Sequence, residues 1–257
     1  MKLEVRNLEI SFGGRRVVDL EALDVDREEI VGLVGESGSG KSMTALAVLG
    51  LARAAGATVQ GSIELDGREL VGLSERELRR VRGERIAMIF QNPVSAFNPV
   101  FRVGDLFVRA LRLHGLSRQQ ARERAREGLR AVLLTPDLLE RYPHQLSGGQ
   151  AQRVAIALAL ALRSEVLLAD EPTSALDVTV QAEILDLLRG LRERERMAIL
   201  LISHDLGVIA QLCDRTAVMR AGRLVETAPT ATILSRAREQ YTRELVAAVP
   251  KISTAAA

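Results

Sequence analysis

One cysteine, Cys213, occurs in the 257 residues, which excludes an internal disulfide framework and a metal site built from several thiolates. A small, buried, apolar role is expected of it. Tryptophan is absent and aromatic residues make up only 3% of the chain, so a row of base-stacking platforms is excluded. Lysine is scarce too. Of the 35 basic residues only Lys2, Lys41 and Lys251 are lysine, and the rest are arginine. Against 33 acidic residues the net charge is +2, which leaves no electrostatic footprint for nucleic acid. Long apolar runs are also missing. The longest, residues 154–162 (VAIALALAL), is about half of what a membrane-spanning helix needs. The opening MKLEVRNLEI alternates apolar and charged residues and lacks the apolar run of a signal peptide. Any membrane association is therefore expected to come through a partner, and the single thiol fits a reducing cytoplasm.

What remains is an ordinary globular composition, 47% apolar and 26% charged, long enough for a sizeable core. Residues 3–34 read as strands: LEVRNLEISF, the alternating VVDLEALDVD and the apolar run IVGLV. A helix is expected over MTALAVLGLA, from Met43, and a hairpin over residues 61–70, turning at Asp66-Gly67. Residues 74–85 read as a solvated helical face and residues 86–90 (IAMIF) as a short buried strand. From Asn92 to Arg163 helical periodicity dominates. Strand-like runs return at 166–169, 198–202 and 216–219. Two strand-rich blocks thus flank a helical insertion, and apolar strands alternating with helices indicate a parallel α/β core. No internal repeat is visible, and only the tail STAAA reads as disordered.

The first strand block ends in Gly35-Glu36-Ser37-Gly38-Ser39-Gly40-Lys41-Ser42, which matches G-x-x-x-x-G-K-[ST] with a strand before it and a helix after it. Glycines let the backbone wrap closely and aim N–H groups at phosphate oxygens, and the new helix adds its N-terminal dipole. Lys41 is expected to reach the β- and γ-phosphates and the Ser42 hydroxyl to ligate Mg²⁺. In a chain that uses arginine almost everywhere, the slim ammonium at this one interior position fits between phosphates where a planar fork would not. The second strand block contributes VLLADE, residues 166–171. A buried strand delivering Asp170 to its edge puts a carboxylate where Mg²⁺ sits, while Glu171, facing differently, can polarise a water.

Further motifs then align. Leu146-Ser147-Gly148-Gly149-Gln150 resembles the signature of ABC (ATP-binding cassette) ATPases, and the other marks of that family occur in order. Phe12 stands where the family places an adenine-stacking aromatic. Gln91 resembles its Q-loop glutamine, Ser174-Ala175-Leu176-Asp177 its D-loop, and His204 its switch histidine. The resemblance covers essentially residues 3–250. It implies an α/β, P-loop NTPase (RecA-like) core with an N-terminal antiparallel β-subdomain and an inserted α-helical subdomain. Residues 1–91 and 164–230 would form the core, residues 92–163 the helical signature subdomain, and 231–257 a C-terminal helix and tail. It further implies ATP and Mg²⁺ as ligands, with Mg²⁺ held by Ser42, Gln91 and Asp170, with Glu171, His204 and Gln91 catalytic, and with Phe12, Gly35, Ser37, Gly38, Ser39, Gly40, Lys41 and Ser42 binding ATP. The signature, a second anion-binding helix start, would close on ATP held by a partner's phosphate loop. His144 is expected to be structural and His114 exposed.

Only 56 residues separate Gln91 from Ser147, too few for the long coiled coils of chromosome-maintenance members, and the single cassette disfavours translation factors. The runs QNPVSAFNP, YPHQLSGGQ, HDLGVIAQLCDR and YTRELVAAVP resemble importers for oligopeptides, dipeptides and nickel, with AFNP leaning toward nickel or metal chelates. The resemblance then implies a peripheral subunit on the cytoplasmic face of the inner (plasma) membrane. Its partners would be a second ATPase subunit, either a paralogue or another copy, two transmembrane permeases and, indirectly, an extracytoplasmic binding protein. The competing reading is a soluble regulatory ABC-type ATPase without a membrane partner.

Overall fold

The computed structural model describes residues 2–174 and 176–248. Strands β1 (Lys2–Phe12) and β2 (Arg15–Asp26) form a hairpin whose alternating side chains bury Leu3, Val5, Leu8 and Ile10 from β1. β3 (Ile30–Val34), buried at every position, leads through the glycine-rich turn into α1 (Lys41–Val48). α1 thus begins inside the motif and stops before the predicted end at Ala52, because Gly50 takes a left-handed φ of 66°. β4 (Thr58–Leu65) and the two-residue β5 (Arg68–Glu69) give the expected hairpin. With β1 and β2 they make an antiparallel sheet in the order β2-β1-β4-β5.

Helix α2 (Glu75–Val81) opens on a capping box between Ser74 and Glu77 and precedes β6 (Ile86–Ile89). The insertion follows as α3 (Pro93–Ala96), α4 (Val103–Leu113), α5 (Arg118–Ala131) and α6 (Gly148–Leu162). The longest apolar run of the chain lies in α6, buried in the core. Then come β7 (Val166–Asp170), α7 (Val178–Glu195), β8 (Ala198–Ser203), α8 (Leu206–Leu212) and β9 (Arg215–Arg220). β10 (Arg223–Pro229), α9 (Thr230–Arg236) and α10 (Gln240–Ala247) complete the described chain. The tail STAAA lies outside the described residues.

The second sheet runs β10-β9-β3-β8-β7-β6. Strands β9, β3, β8, β7 and β6 pair in parallel, and only β10 is antiparallel. Strand alternation divides its side chains between two cores. Val31, Leu33, Leu168 and Leu200 face the antiparallel sheet and α1, whereas Ile30, Val34, Leu167 and Ile199 face α4–α8 around Phe107, Leu129 and Val154. Because β3, β8, β7 and β6 are parallel neighbours, their C-terminal ends lie in one row. That edge of an open α/β sheet is where ligands bind. Here it carries the glycine-rich turn, His204, Asp170 with Glu171, and Gln91.

Two expectations shift. β10 escapes a reading by apolar runs because its side chains are only partly buried at the sheet edge. His114 is not exposed: its side chain is 14% accessible and packs where Gly83 leaves no Cβ, the imidazole Nε2 standing 2.9 Å from that position. Cys213 is buried as expected, and burial pushes its thiol pKa far up.

Candidate functional site

The turn between β3 and α1 is shaped by close approach. A Cβ on Gly35 would stand 2.0 Å from the carbonyl oxygen of Met219, and one on Gly40 would meet Met219 Cε at 2.7 Å. Gly35, Gly38 and Gly40 all have positive φ, and no side chain caps α1. The first-turn amides are thereby left to a ligand. Lys41 is buried, and its Nζ donates to the carbonyls of Gly35 (2.7 Å) and Glu36 (2.8 Å) and to Ser39 Oγ (3.3 Å). Burial lowers its pKa, opposed by the carboxylates of Glu171, Asp170 and Glu36. The ammonium is folded back on its own loop.

Asp170, at the end of β7, is also buried, and the Ser42 hydroxyl donates to its Oδ1 at 3.0 Å. Burial raises the Asp170 pKa and the charge of Glu171 adds to this, while the Ser42 bond and Lys41 oppose it. Two hard oxygen donors on rigid elements suit Mg²⁺, which takes one or two protein ligands and completes its shell with phosphate and water. Among the described residues no cluster of three or more His, Cys, Asp or Glu could hold a metal.

Glu171 leaves the strand in a left-handed conformation, φ 47°, held by its N–H to the Ile202 carbonyl at 2.9 Å and by the Ser174 hydroxyl on its own carbonyl at 2.9 Å. The turn aims its carboxylate away from Asp170. Gln91 Nε2 donates to Glu171 Oε2 at 2.9 Å, and His204 Nδ1 lies 3.0 Å from Oε1. Gln91 therefore meets Glu171 rather than the Ser42–Asp170 pair, a contact between strand ends that its position after IAMIF does not reveal. These residues line a cleft of about 650 Å³ together with Asn92, Gly148 and Gln152.

The signature opens α6 through a capping box. Ser147 Oγ accepts from the Gln150 amide and the Gln150 side chain accepts from the Ser147 amide. Gly149 sits against Val180 at the start of α7, where a Cβ would stand 2.5 Å from Cγ1. Of the D-loop residues, Ala175 lies outside the described residues, and Asp177 caps α7 through the Val180 amide at 3.0 Å. Phe12 ends β1 half-buried beside the antiparallel-sheet core, in a hairpin whose Val17 and Val18 border Gly40. His144 is exposed and stacks on Tyr142 with ring centroids 5.7 Å apart. One contact has no local trace in the sequence. The Glu36 amide donates to the hydroxyl of Tyr241 at 3.1 Å, across 205 positions of chain.

A parallel sheet carrying this turn and carboxylate pair on its C-terminal edge defines a P-loop nucleoside triphosphatase. The chain belongs to the ABC transporter family, whose model matches residues 19–174, and it is an ATPase of that family. It is 47% identical over 256 residues, 96% of this chain and 76% of the other, to a protein of Sinorhizobium fredii described as a probable peptide ABC transporter ATP-binding protein. It is 43% identical to the dipeptide transport ATP-binding protein of Escherichia coli, covering 98% of this chain and 79% of that one. Among solved structures it resembles a dimeric ATP-binding cassette in a post-hydrolysis state bound to ADP and Pi, with a TM-score of 0.78, 28% identity and coverage of 89% and 98%. It also resembles cbiO1 of Clostridium perfringens, part of the transporter complex cbiONQ, with a TM-score of 0.79, 25% identity and coverage of 91% and 90%.

Proposed function

We propose that the chain is the ATP-binding and hydrolysing subunit of an importer, that its cargo class is peptides, and that it works peripherally on the cytoplasmic face of the membrane. The two sequence relatives reported above are described as peptide and dipeptide transport ATP-binding proteins, and on that ground the peptide branch is preferred to nickel or metal chelates. Among the described residues no helix is long and apolar enough to cross a membrane. Two permease subunits would form the membrane path, and an extracytoplasmic binding protein would deliver the cargo.

The observation that carries the chemistry is the Glu171 carboxylate held between Gln91 and His204, one residue from the Ser42–Asp170 pair. The amides of residues 38–42 and Lys41 bind the phosphates of ATP, and Phe12 offers its ring to the adenine. Ser42 and Asp170 would hold Mg²⁺, which would supply positive charge to offset that of the phosphates. Glu171 accepts the proton of the attacking water. His204 orients the γ-phosphate and that water, and Gln91 ties Glu171 to the helical insertion. Ser147 and Gly148 open α6 for the γ-phosphate held by a second cassette, a paralogue or another copy, so that two ATP molecules are shared between two subunits.

Glu171→Gln keeps the shape and loses the base. In membrane-isolated complex its ATPase rate should fall by at least about 100-fold, with ATP affinity within about twofold of the parent. Normal turnover would remove Glu171 from the reaction. Isolation from membranes with two polytopic subunits supports the importer reading, whereas recovery only as a soluble protein favours a regulatory ATPase.

A further inference from the structure

The phosphate loop is gripped from two sides. Gly222, in the hairpin between β9 and β10, donates its amide to the Ser39 carbonyl at 2.9 Å. On the other side Tyr241 of α10, buried at 6% exposure, offers its hydroxyl oxygen to the Glu36 amide at 3.1 Å. The Tyr241 ring is itself held, with the Arg220 guanidinium 4.6 Å above its centroid. The start of α10 is fixed where Glu226 of β10 accepts the amides of Arg238 (2.9 Å) and Glu239 (3.1 Å).

The peptide joining Gly35 to Glu36 is the link that matters. Its N–H, that of Glu36, goes to Tyr241, while its carbonyl, that of Gly35, accepts from Lys41 Nζ at 2.7 Å. One residue on, the Glu36 carbonyl accepts from Lys41 Nζ at 2.8 Å and from the Ser39 amide at 3.1 Å. Rotating the Gly35–Glu36 peptide would move an acceptor of the lysine ammonium and loosen the turn that presents residues 38–42. The tyrosine hydroxyl takes an amide at the entry of the loop, upstream of those that face phosphate, so it does not compete with the nucleotide. A loop already held in its binding conformation loses less freedom when the nucleotide arrives.

We infer that Tyr241 is a positioning residue for ATP binding, its hydroxyl fixing the Gly35–Glu36 peptide and, through the Gly35 carbonyl, Lys41. The inference rests on the reading of residues 35–42 as the ATP phosphate loop. It makes α10, an element the nucleotide does not touch, part of what sets nucleotide affinity.

Tyr241→Phe removes one oxygen and keeps the ring beneath Arg220, so the fold should be retained. MgATP affinity is measured by equilibrium binding and unfolding by a thermal scan with the purified full-length chain, and KM and kcat by ATP hydrolysis in the membrane-isolated complex. The expected result is a Kd and a KM raised about fivefold, the size of one hydrogen bond, with kcat at saturating ATP unchanged. A purely structural tyrosine would shift the unfolding temperature and leave Kd and KM alone, and that result overturns the inference. If the parent chain itself fails to bind MgATP, the phosphate-loop reading falls and the inference with it. Parental binding with an unaltered variant removes the inference alone.

Discussion

At Gly35 a single added carbon has nowhere to go. The space a Cβ would fill is bounded by a backbone carbonyl, Met219 O at 2.0 Å, and the residue's φ is +154°. A flexible side chain could yield; the central parallel sheet cannot. Gly35→Ala is therefore expected to lower stability by about 2 kcal/mol and to abolish measurable ATP binding, because relief requires the loop to lift off β9. Urea unfolding and nucleotide titration of the same preparation check both, and an alanine variant with parental affinity would show that the loop has another resting place. Lys41 illustrates the complementary constraint. Its ammonium is already shared among three acceptors in a buried pocket, where three donors on a slim stem fit and a planar guanidinium would not. In a chain with only three lysines, this position is selected by shape as much as by charge.

Among the elements, α10 depends on strand β10 to fix the two residues that enter it, Arg238 and Glu239. Burial pushes the Glu226 pKa up, but the amides of Arg238 and Glu239 outweigh it and hold the carboxyl below its ordinary value. A depressed carboxylate pKa contributes stability that is complete above the unfolded value and disappears as pH falls through the folded one. Glu226→Ala should then cost about 1 kcal/mol at pH 7, the usual scale for losing a helix cap. The gap should narrow as pH falls below the ordinary carboxylate range. Urea midpoints of both proteins across pH 7 to pH 3 check this, and a gap independent of pH would mean that packing rather than charge anchors the helix. What the sequence discloses divides along the same line. IVGLV, VLLAD and AILLIS are apolar at nearly every position because both faces of their sheet are covered, so these strands and the motifs at their ends are readable locally. β10 alternates weakly at a sheet edge, and the Tyr241–Glu36 contact spans almost the whole chain, so neither leaves a local pattern. Gln91 is legible as a residue at a strand end. Its partner is not, because only the strand order β8-β7-β6 brings it to Glu171.

Under the proposed function the whole molecule sets two anion-binding helix starts on different supports. α1 opens from the parallel sheet with an uncapped N-terminus, whereas α6 opens from the helical insertion with Ser147 and Gln150 occupied in their own capping box and Ser147 exposed. Lys41 and Ser42 complete the first start within this chain. The second has two glycines and no lysine of its own, so under the proposed function its ligand is a γ-phosphate held by another subunit. That division yields a separable prediction. Ser147→Arg places a bulky cation at an exposed helix start without touching residues 35–42, Asp170 or Glu171. The isolated chain should bind MgATP with its parental Kd, since its own nucleotide is held by α1. In the membrane-isolated complex, turnover should fall by about tenfold or more, the scale of removing one preorganised donor from a developing charge. Nucleotide titration of the isolated chain beside ATPase assays of the complex decides the matter. If Ser147→Arg instead weakened ATP binding by the isolated chain, the signature would be serving its own phosphate loop, and the shared two-subunit site would have to be abandoned.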